Sequence, residues 1–261
     1  MLLFAKSLCF GKLRLRDRSW VKKFNTLGFA GAIDLVKNET QQQAAVISSY
    51  WRKPKSGTHL ALEVDPDDDC ITRVLLSGQP WESWLTPYLI RYCDRAKVSL
   101  DVGANIGTHT RTLARQSLEV HAFEPQLRVF EILSRNIAEF GNVTAHNSAA
   151  DNAPGAARMK APTKNVGATE MSIDGTGEVI NCIRIDDMNF SAPVGFMKID
   201  VEKHEMEALE GALETVRRDR PVIIMEDQVH ARALLEPLGY RCRRIALVDF
   251  LCLPAEFSLD R

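Results

Sequence analysis

"LDVGANIG", Leu100 to Gly107, decides how the chain is read. A short apolar run ends in an acid, Asp101, and two residues later the backbone turns glycine-rich. Leading into a helix from about Thr108 to Arg115, this is the opening strand, loop and helix of a βαβ unit. Without Cβ atoms, Gly103 and Gly107 let the backbone take unusual φ/ψ and approach a ligand. The N-terminus of the following helix offers unpaired N–H groups to an anion.

The same rhythm continues outward from the loop. Val98–Val102, Val120–Phe123, Val143–His146, Val179–Ile185, Gly195–Ile199 and "PVIIMED" read as strands. Helices are expected from about Leu127 to Phe140, from His204 to Arg217, and up to "LGY", with a Gly/Ala/Asn-rich irregular region before Val179. "RCRRIALVDFLCL" closes the chain as a hairpin. Strands alternating with helices predict an α/β fold with a doubly wound, mostly parallel sheet and an antiparallel C-terminal hairpin. Upstream, residues 1–95 read as an N-terminal extension of helices and a strand pair, the region that shapes the substrate side, and 96–261 as the cofactor-binding domain. The strand pair is placed at Leu60–Val64 and Ile71–Leu76, around Asp67, Asp68 and Asp69 as a solvated turn. "PWESWLTPYLIRYCD" carries apolar residues at helical spacing, with Trp81 and Trp84 as core or lid residues.

Composition excludes several classes of function. With 261 residues, 45% of them apolar, and a net charge of −1, the chain has a core and no global basic field to recruit nucleic acid. No run approaches the ~20 apolar residues of a membrane span. The N-terminus does carry Lys6, Lys12, Arg14, Arg16, Arg18, Lys22 and Lys23 against Asp17. That is a solvated basic helix face, or a segment resting weakly on a membrane surface. Six scattered cysteines without a C-x-x-C pair predict reduced thiols in a cytoplasmic protein, and no zinc site.

The loop's chemistry then narrows the cofactor. A dinucleotide loop runs G-x-G-x-x-G and seats a pyrophosphate, whereas D-x-G-x-N-x-G puts an acid where that anion would be repelled. S-adenosylmethionine has an α-amine for an acid and a carboxylate for backbone donors. Asp101, Gly103, Asn105, Gly107 and Thr108 are therefore its candidate contacts, with His109 in the first helical turn. "HAFEP" ends the second strand in Glu124, a carboxylate able to accept from two adjacent ribose hydroxyls, a device that nicotinamide cofactors share. In "HNSAADNAPG", Asp151 either accepts from an adenine amino group or caps the turn before Pro154.

"LDVGANIGTHT", "FEP", "AAD", "IRIDDM" and above all "MKIDVEKHEMEALEGA" together resemble the FkbM family of S-adenosylmethionine-dependent methyltransferases. The resemblance runs from about Leu60 to Tyr240. It implies a Rossmann-like methyltransferase sheet and methyl transfer to a hydroxyl, on a sugar, a glycan or a related natural product. It also brings Glu82 towards the cofactor, a residue that serves equally as a helix cap. Lys203 departs from the family pattern, standing where glycine is usual and placing a cation beside Asp200 and Glu202.

A hydroxyl acceptor is scarcely ionised at neutral pH, so a general base is needed. Asp200 and His204 are the candidates, with Glu202 as an orienting acceptor or a contact to the cofactor's amine. Glu226 and Asp227 close the next strand and are placed to meet substrate hydroxyls. A metal held by Asp200 and Glu202 lacks further ligands in the sequence, and none is expected. Two rivals remain. One is a catalytically inactive S-adenosylmethionine-binding module, favoured by Lys203. The other is an NAD(P)-dependent reductase, which keeps Glu124 but lacks the third glycine and a Tyr/Lys pair.

Overall fold

In a computed structural model of the chain, residues 62–68, 70–160, 170–172 and 176–257 are described. The basic N-terminal segment, Asp69 and the start of the strand expected at Leu60–Val64 lie outside them, and the described end of that stretch, Leu62 to Val64, is not strand. The strands are β1 (Val98–Val102), β2 (Glu119–Phe123), β3 (Val143–His146), β4 (Ala149–Ala150), β5 (Gly155–Lys160), β6 (Glu170–Met171), β7 (Glu178–Ile183), β8 (Val194–Ile199), β9 (Val222–Glu226), β10 (Tyr240–Arg244) and β11 (Asp249–Pro254). The α-helices are α1 (Ile71–Leu76), α2 (Thr86–Tyr92), α3 (Thr110–Gln116), α4 (Leu127–Ile137), α5 (Glu205–Glu210) and α6 (Leu213–Asp219).

Seven strands form one sheet in the order β10-β11-β9-β8-β1-β2-β3. β1 pairs in parallel with both β2 and β8, β8 pairs in parallel with β9, and β11 runs antiparallel to β9 and β10. This is the Rossmann-like arrangement, and the strand order reverses between β1 and β8. Both faces are covered, so β1 and β9 are buried along their whole length. Alternation sorts the side chains. Val98, Leu100, Val102, Met197 and Ile199 face Ala208, Leu209 and Val216 of α5 and α6. Phe196, Val120, Val222 and Ile224 face Leu89 of α2 and Leu113 of α3. Trp84 packs on this second cluster and donates its ring N–H to Asp249 at 3.2 Å, and Trp81 packs against Ile71, Leu75 and Ile106.

Five expectations are corrected. Ile71–Leu76 is helix, not strand: Ile71, Val74 and Leu75 turn inward at helical spacing, while Leu76 is exposed. Asp68, read as part of a solvated turn, is buried and accepts the backbone N–H groups of Cys70 and Ile71 at 2.8 and 3.3 Å, which starts that helix. The helix expected from His204 to Arg217 breaks at Gly211, where a Cβ would lie 2.0 Å from the Asp151 carbonyl oxygen. The segment before "LGY" holds only short 3₁₀ turns, Ala231–Leu234 and Glu236–Leu238, because Pro237 lacks the donor that a longer helix needs. The region read as irregular after β3 contains a second sheet, ordered β4-β7-β5-β6.

The thiols are also corrected. Cys242 and Cys252 face each other directly across β10 and β11 and form a disulfide, and Cys70 is disulfide-bonded as well. Cys93 and Cys182 remain free. The cysteine argument for a cytoplasmic setting therefore lapses. Spacing alone hid the pair, since only the hairpin register brings residues 242 and 252 together.

Two stacked imidazoles join β2 to β3. His121 Nδ1 and His146 Nε2 share a hydrogen bond of 2.9 Å, and His146 also stacks on Phe123. Burial holds both rings below the ordinary histidine range, His146 at about 4, and each additional charge would meet the other ring. The folded state thus binds fewer protons than the unfolded chain between pH 6.5 and about 4. Stability from this pair is complete above that window and is lost as pH falls through it. His146→Phe is expected to flatten this fall in urea-denaturation midpoints; an unchanged pH slope would assign the acid sensitivity elsewhere.

Candidate active site

The switch point between β1 and β8 opens a cleft at the carboxyl ends of β1, β2 and β8. Gly103, Asn105, Glu124, Asp200, Glu202 and His204 all line it. The small second sheet forms the opposite wall through Ala149, Ala150, Met159 and Met171. Among the described residues no helix is long and apolar enough to cross a membrane.

The glycines serve the chain itself. Gly103 has φ +81°, and a Cβ there would lie 1.9 Å from the Asp200 carbonyl oxygen. The loops after β1 and β8 are pressed together at this point, with the Asp200 N–H donating to the Val102 carbonyl at 2.9 Å. At Gly107, φ +90°, a Cβ would meet Leu133 Cδ1 at 2.8 Å, so this position lets α4 close on the loop. Asn105 also stands at positive φ, and its side-chain oxygen accepts the Ile106 N–H at 2.7 Å. Thr108 is buried in the loop and is not part of the cleft wall.

Glu124 is held by that loop. Its two oxygens accept backbone N–H groups from Asn105 at 3.1 Å and Gln126 at 2.9 Å. Burial nevertheless pushes the carboxyl up to about 7, because these bonds, with one from the Gln126 side chain, do not replace the hydration it has lost. A carboxylate has about four acceptor sites, so Glu124 keeps capacity facing the cleft.

Three expected cofactor contacts have other partners. Asp101 is fully buried below the loop, where Thr110 donates its hydroxyl to Oδ2 at 2.6 Å and Lys198 Nζ lies 3.8 Å from Oδ1. Glu82 lies 3.0 Å from His109 Nε2, both residues being buried, so neither faces the cleft. Asp151 Oδ2 lies 3.1 Å from His204 Nε2, which makes it a neighbour of the base candidate. None of these pairings was legible in the sequence, because the partners are 9 to 97 residues apart or on separate elements.

The turn after β8 presents the reactive side chains. Glu202 and Lys203 both adopt left-handed φ, 48° and 70°, and the buried Glu205 accepts the Lys203 N–H at 3.1 Å. Burial, reinforced by the charges of Asp200 and Asp227, pushes the Glu205 carboxyl up to about 7. Lys203 keeps the backbone shape for which glycine is suited, yet its ammonium turns outward to Glu170 of β6 at 2.5 Å. It does not lie on Asp200. Asp200 is instead engaged by Lys198, 3.2 Å from Oδ2, and Glu202 accepts from the Gln228 amide at 3.0 Å. His204 also lies 3.4 Å from Glu207 through Nδ1.

At the end of β9, Glu226 is buried beside this turn, and Asp227 is ion-paired with Arg232. Asp200, Glu202 and Glu226 bring carboxylate oxygens within 4.8 Å of one another. Lys198 and Gln228 already engage two of these three acids, and the trio alone does not define a metal centre.

A mostly parallel sheet reversing at β1 and β8, with a cleft over an acid-ended second strand, is the Rossmann-like fold of enzymes that bind a nucleotide-type cofactor, methyltransferases among them. The chain belongs to the FkbM methyltransferase family, whose domain matches residues 101–242, and S-adenosylmethionine is accordingly its cofactor. Among solved structures, the methyltransferase FkbM of Methylobacillus flagellatus KT is 18% identical, with a TM-score of 0.47, covering 74% of this chain. The chain spans 56% of that protein's length. A SAM-dependent methyltransferase from Aquifex aeolicus is 14% identical, with a TM-score of 0.40, over 73% of this chain and 100% of its own. No curated protein matches the sequence.

Proposed function

We propose that the chain transfers a methyl group from S-adenosylmethionine to a hydroxyl of a sugar, a glycan or a related natural product. The observation that carries this reading is the facing of two chemistries across one cleft. Glu124, a buried carboxyl of the kind that can accept from a ribose diol, lies on one side, and Asp200 with His204 on the other. The residues present fit the cofactor: Glu124 takes the ribose hydroxyls, and the loop at Gly103 and Asn105 forms the floor beside it. Asp101 supports that floor from below.

The cofactor supplies an activated methyl whose carbon–sulfur electron pair returns to sulfur. The chain's task is to align the acceptor oxygen and remove its proton as the new O–CH₃ bond forms. Asp200 and His204 are the groups within the cleft that can take that proton, and Glu202 orients the acceptor. The amine of the cofactor is assigned to Glu202 or the loop rather than to Asp101. The second sheet shapes the acceptor side through Met159 and Met171.

The alternative of an inactive binding module was favoured by a cation at 203 beside Asp200 and Glu202, and Lys203 instead pairs with Glu170. Labelled methyl donor offered with a panel of mono- and oligosaccharides and polyol natural products tests the proposal. Label on an acceptor oxygen, abolished in the Asp200→Asn, His204→Gln double variant, is expected. Label transferred only to nitrogen acceptors would overturn the hydroxyl assignment.

A further inference from the structure

Lys198 is a buried cation that methyl transfer, as described above, leaves unused. It is 3% exposed, in the middle of the sheet, one strand from Asp101 in direct register. Lys198 of β8 and Asp200, one residue past its end, bring their side chains together, and Asp101 projects beside them from β1. The ammonium therefore stands 3.2 Å from Asp200 Oδ2 and 3.8 Å from Asp101 Oδ1. Asp101 has no solvent to stabilise its charge, and its other oxygen is taken by Thr110. Asp200 in turn reaches the cleft, its side chain 21% exposed. A charge at 198 is therefore transmitted into the cleft through a contact, across a medium that screens poorly.

The three groups carry two negative charges and one positive. The cofactor enters the cleft as a cation and leaves as a neutral thioether. We infer that Lys198 is a positioning residue that turns Asp200 toward Asp101 and sets the charge of the cleft floor. With it in place, the charged S-adenosylmethionine is not held far more tightly than the neutral S-adenosylhomocysteine. Without it, two uncompensated carboxylates would stabilise the cation before transfer and lose that interaction during transfer, which opposes the reaction. The inference rests on the methyltransferase reading and adds an electrostatic task for a residue that touches no substrate.

The test needs no acceptor. Titration calorimetry of the full chain with S-adenosylmethionine and, separately, S-adenosylhomocysteine gives the ratio of the two affinities. Lys198→Met is expected to move that ratio about tenfold toward the charged cofactor, and Lys198→Arg to restore it. Asp101→Asn, which keeps an oxygen for Thr110, is expected to move the ratio several-fold the other way, and it carries the test if Lys198→Met does not fold. A purely structural brace would weaken both ligands together, and an unchanged ratio in these variants overturns the inference while leaving the methyltransferase reading intact. Wild-type protein that binds neither ligand overturns the reading itself and this assignment with it.

Discussion

Glu124→Ala is expected to weaken S-adenosylhomocysteine binding by about 100-fold or more, measured by calorimetry at pH 8. Hydrogen bonds to a charged group are worth about 1.5–3 kcal/mol each, so losing two ribose hydroxyl contacts accounts for at least that factor. The same substitution strands the Asn105 and Gln126 N–H groups, so Glu124→Gln is the necessary companion. It keeps an acceptor for one backbone donor and is expected to fold while binding at an intermediate level. The pH dependence has a definite sign. The empty protein's carboxyl sits at about 7, and only its ionised form accepts from two hydroxyls. Affinity is therefore expected to be flat above pH 7 and to fall below it, by up to about tenfold per pH unit. Stability of the free protein runs the opposite way at this residue. A carboxyl raised above its unfolded value of 4.5 costs stability above pH 7, and the cost is relieved as pH falls toward 4.5. The His121–His146 pair loses stability in an overlapping window. A flat stability curve in the wild type is thus compatible with both effects, and only the single variants separate them. Binding independent of pH between 6 and 8 would remove Glu124 from the cofactor site.

Strand positions and the acids at strand ends were legible in the sequence because burial on both faces leaves nearly continuous apolar runs, as in "VIIM" and in "FMKI", which only Lys198 interrupts. Glu124 and Asp200 stand out for the same reason, each ending such a run where a parallel sheet gathers its ligands. Glycine was legible as a need and not as a cause. "GANIG" predicts positive φ, but whether the missing Cβ makes room for a ligand or for the Asp200 carbonyl depends on which loop lies opposite. The second sheet escaped because β4 and β6 have two residues each, too few for a period to show. α1 was misread because six residues of "ITRVLL" satisfy strand and helix patterns almost equally. Lys198 was visible only as one letter of a motif. Its meaning comes from the register that sets it beside Asp101, a relation between strands that one strand's sequence does not contain.

Gly103→Ala is expected to be the most damaging single substitution in the loop, by about 4 kcal/mol or more in urea denaturation, in the upper tail of single mutants. Two costs combine. Alanine at φ +81° takes about 1–2 kcal/mol of backbone strain. Its Cβ would also stand 1.9 Å from the Asp200 carbonyl oxygen and 2.8 Å from its carbon, both backbone atoms that no rotamer change can move. Relief requires the β1 and β8 loops to part, which breaks the Asp200–Val102 hydrogen bond and the bonds from Gly103 and Ala104 to the Phe123 carbonyl. Gly107→Ala has a similar φ, +90°, but meets the end of the Leu133 side chain, which can turn aside, so about 1–3 kcal/mol is expected. Gly141→Ala, with nothing within 4 Å, should change stability by only a few tenths of a kcal/mol. The order Gly103, Gly107, Gly141 follows from what each absent methyl would touch. The outcome also decides what the glycine is for. A Gly103→Ala protein as stable as wild type that no longer binds S-adenosylhomocysteine would mean the residue makes room for the cofactor. Loss of stability without ligand means that it makes room for Asp200, and that the cofactor floor and the base are built from one backbone contact.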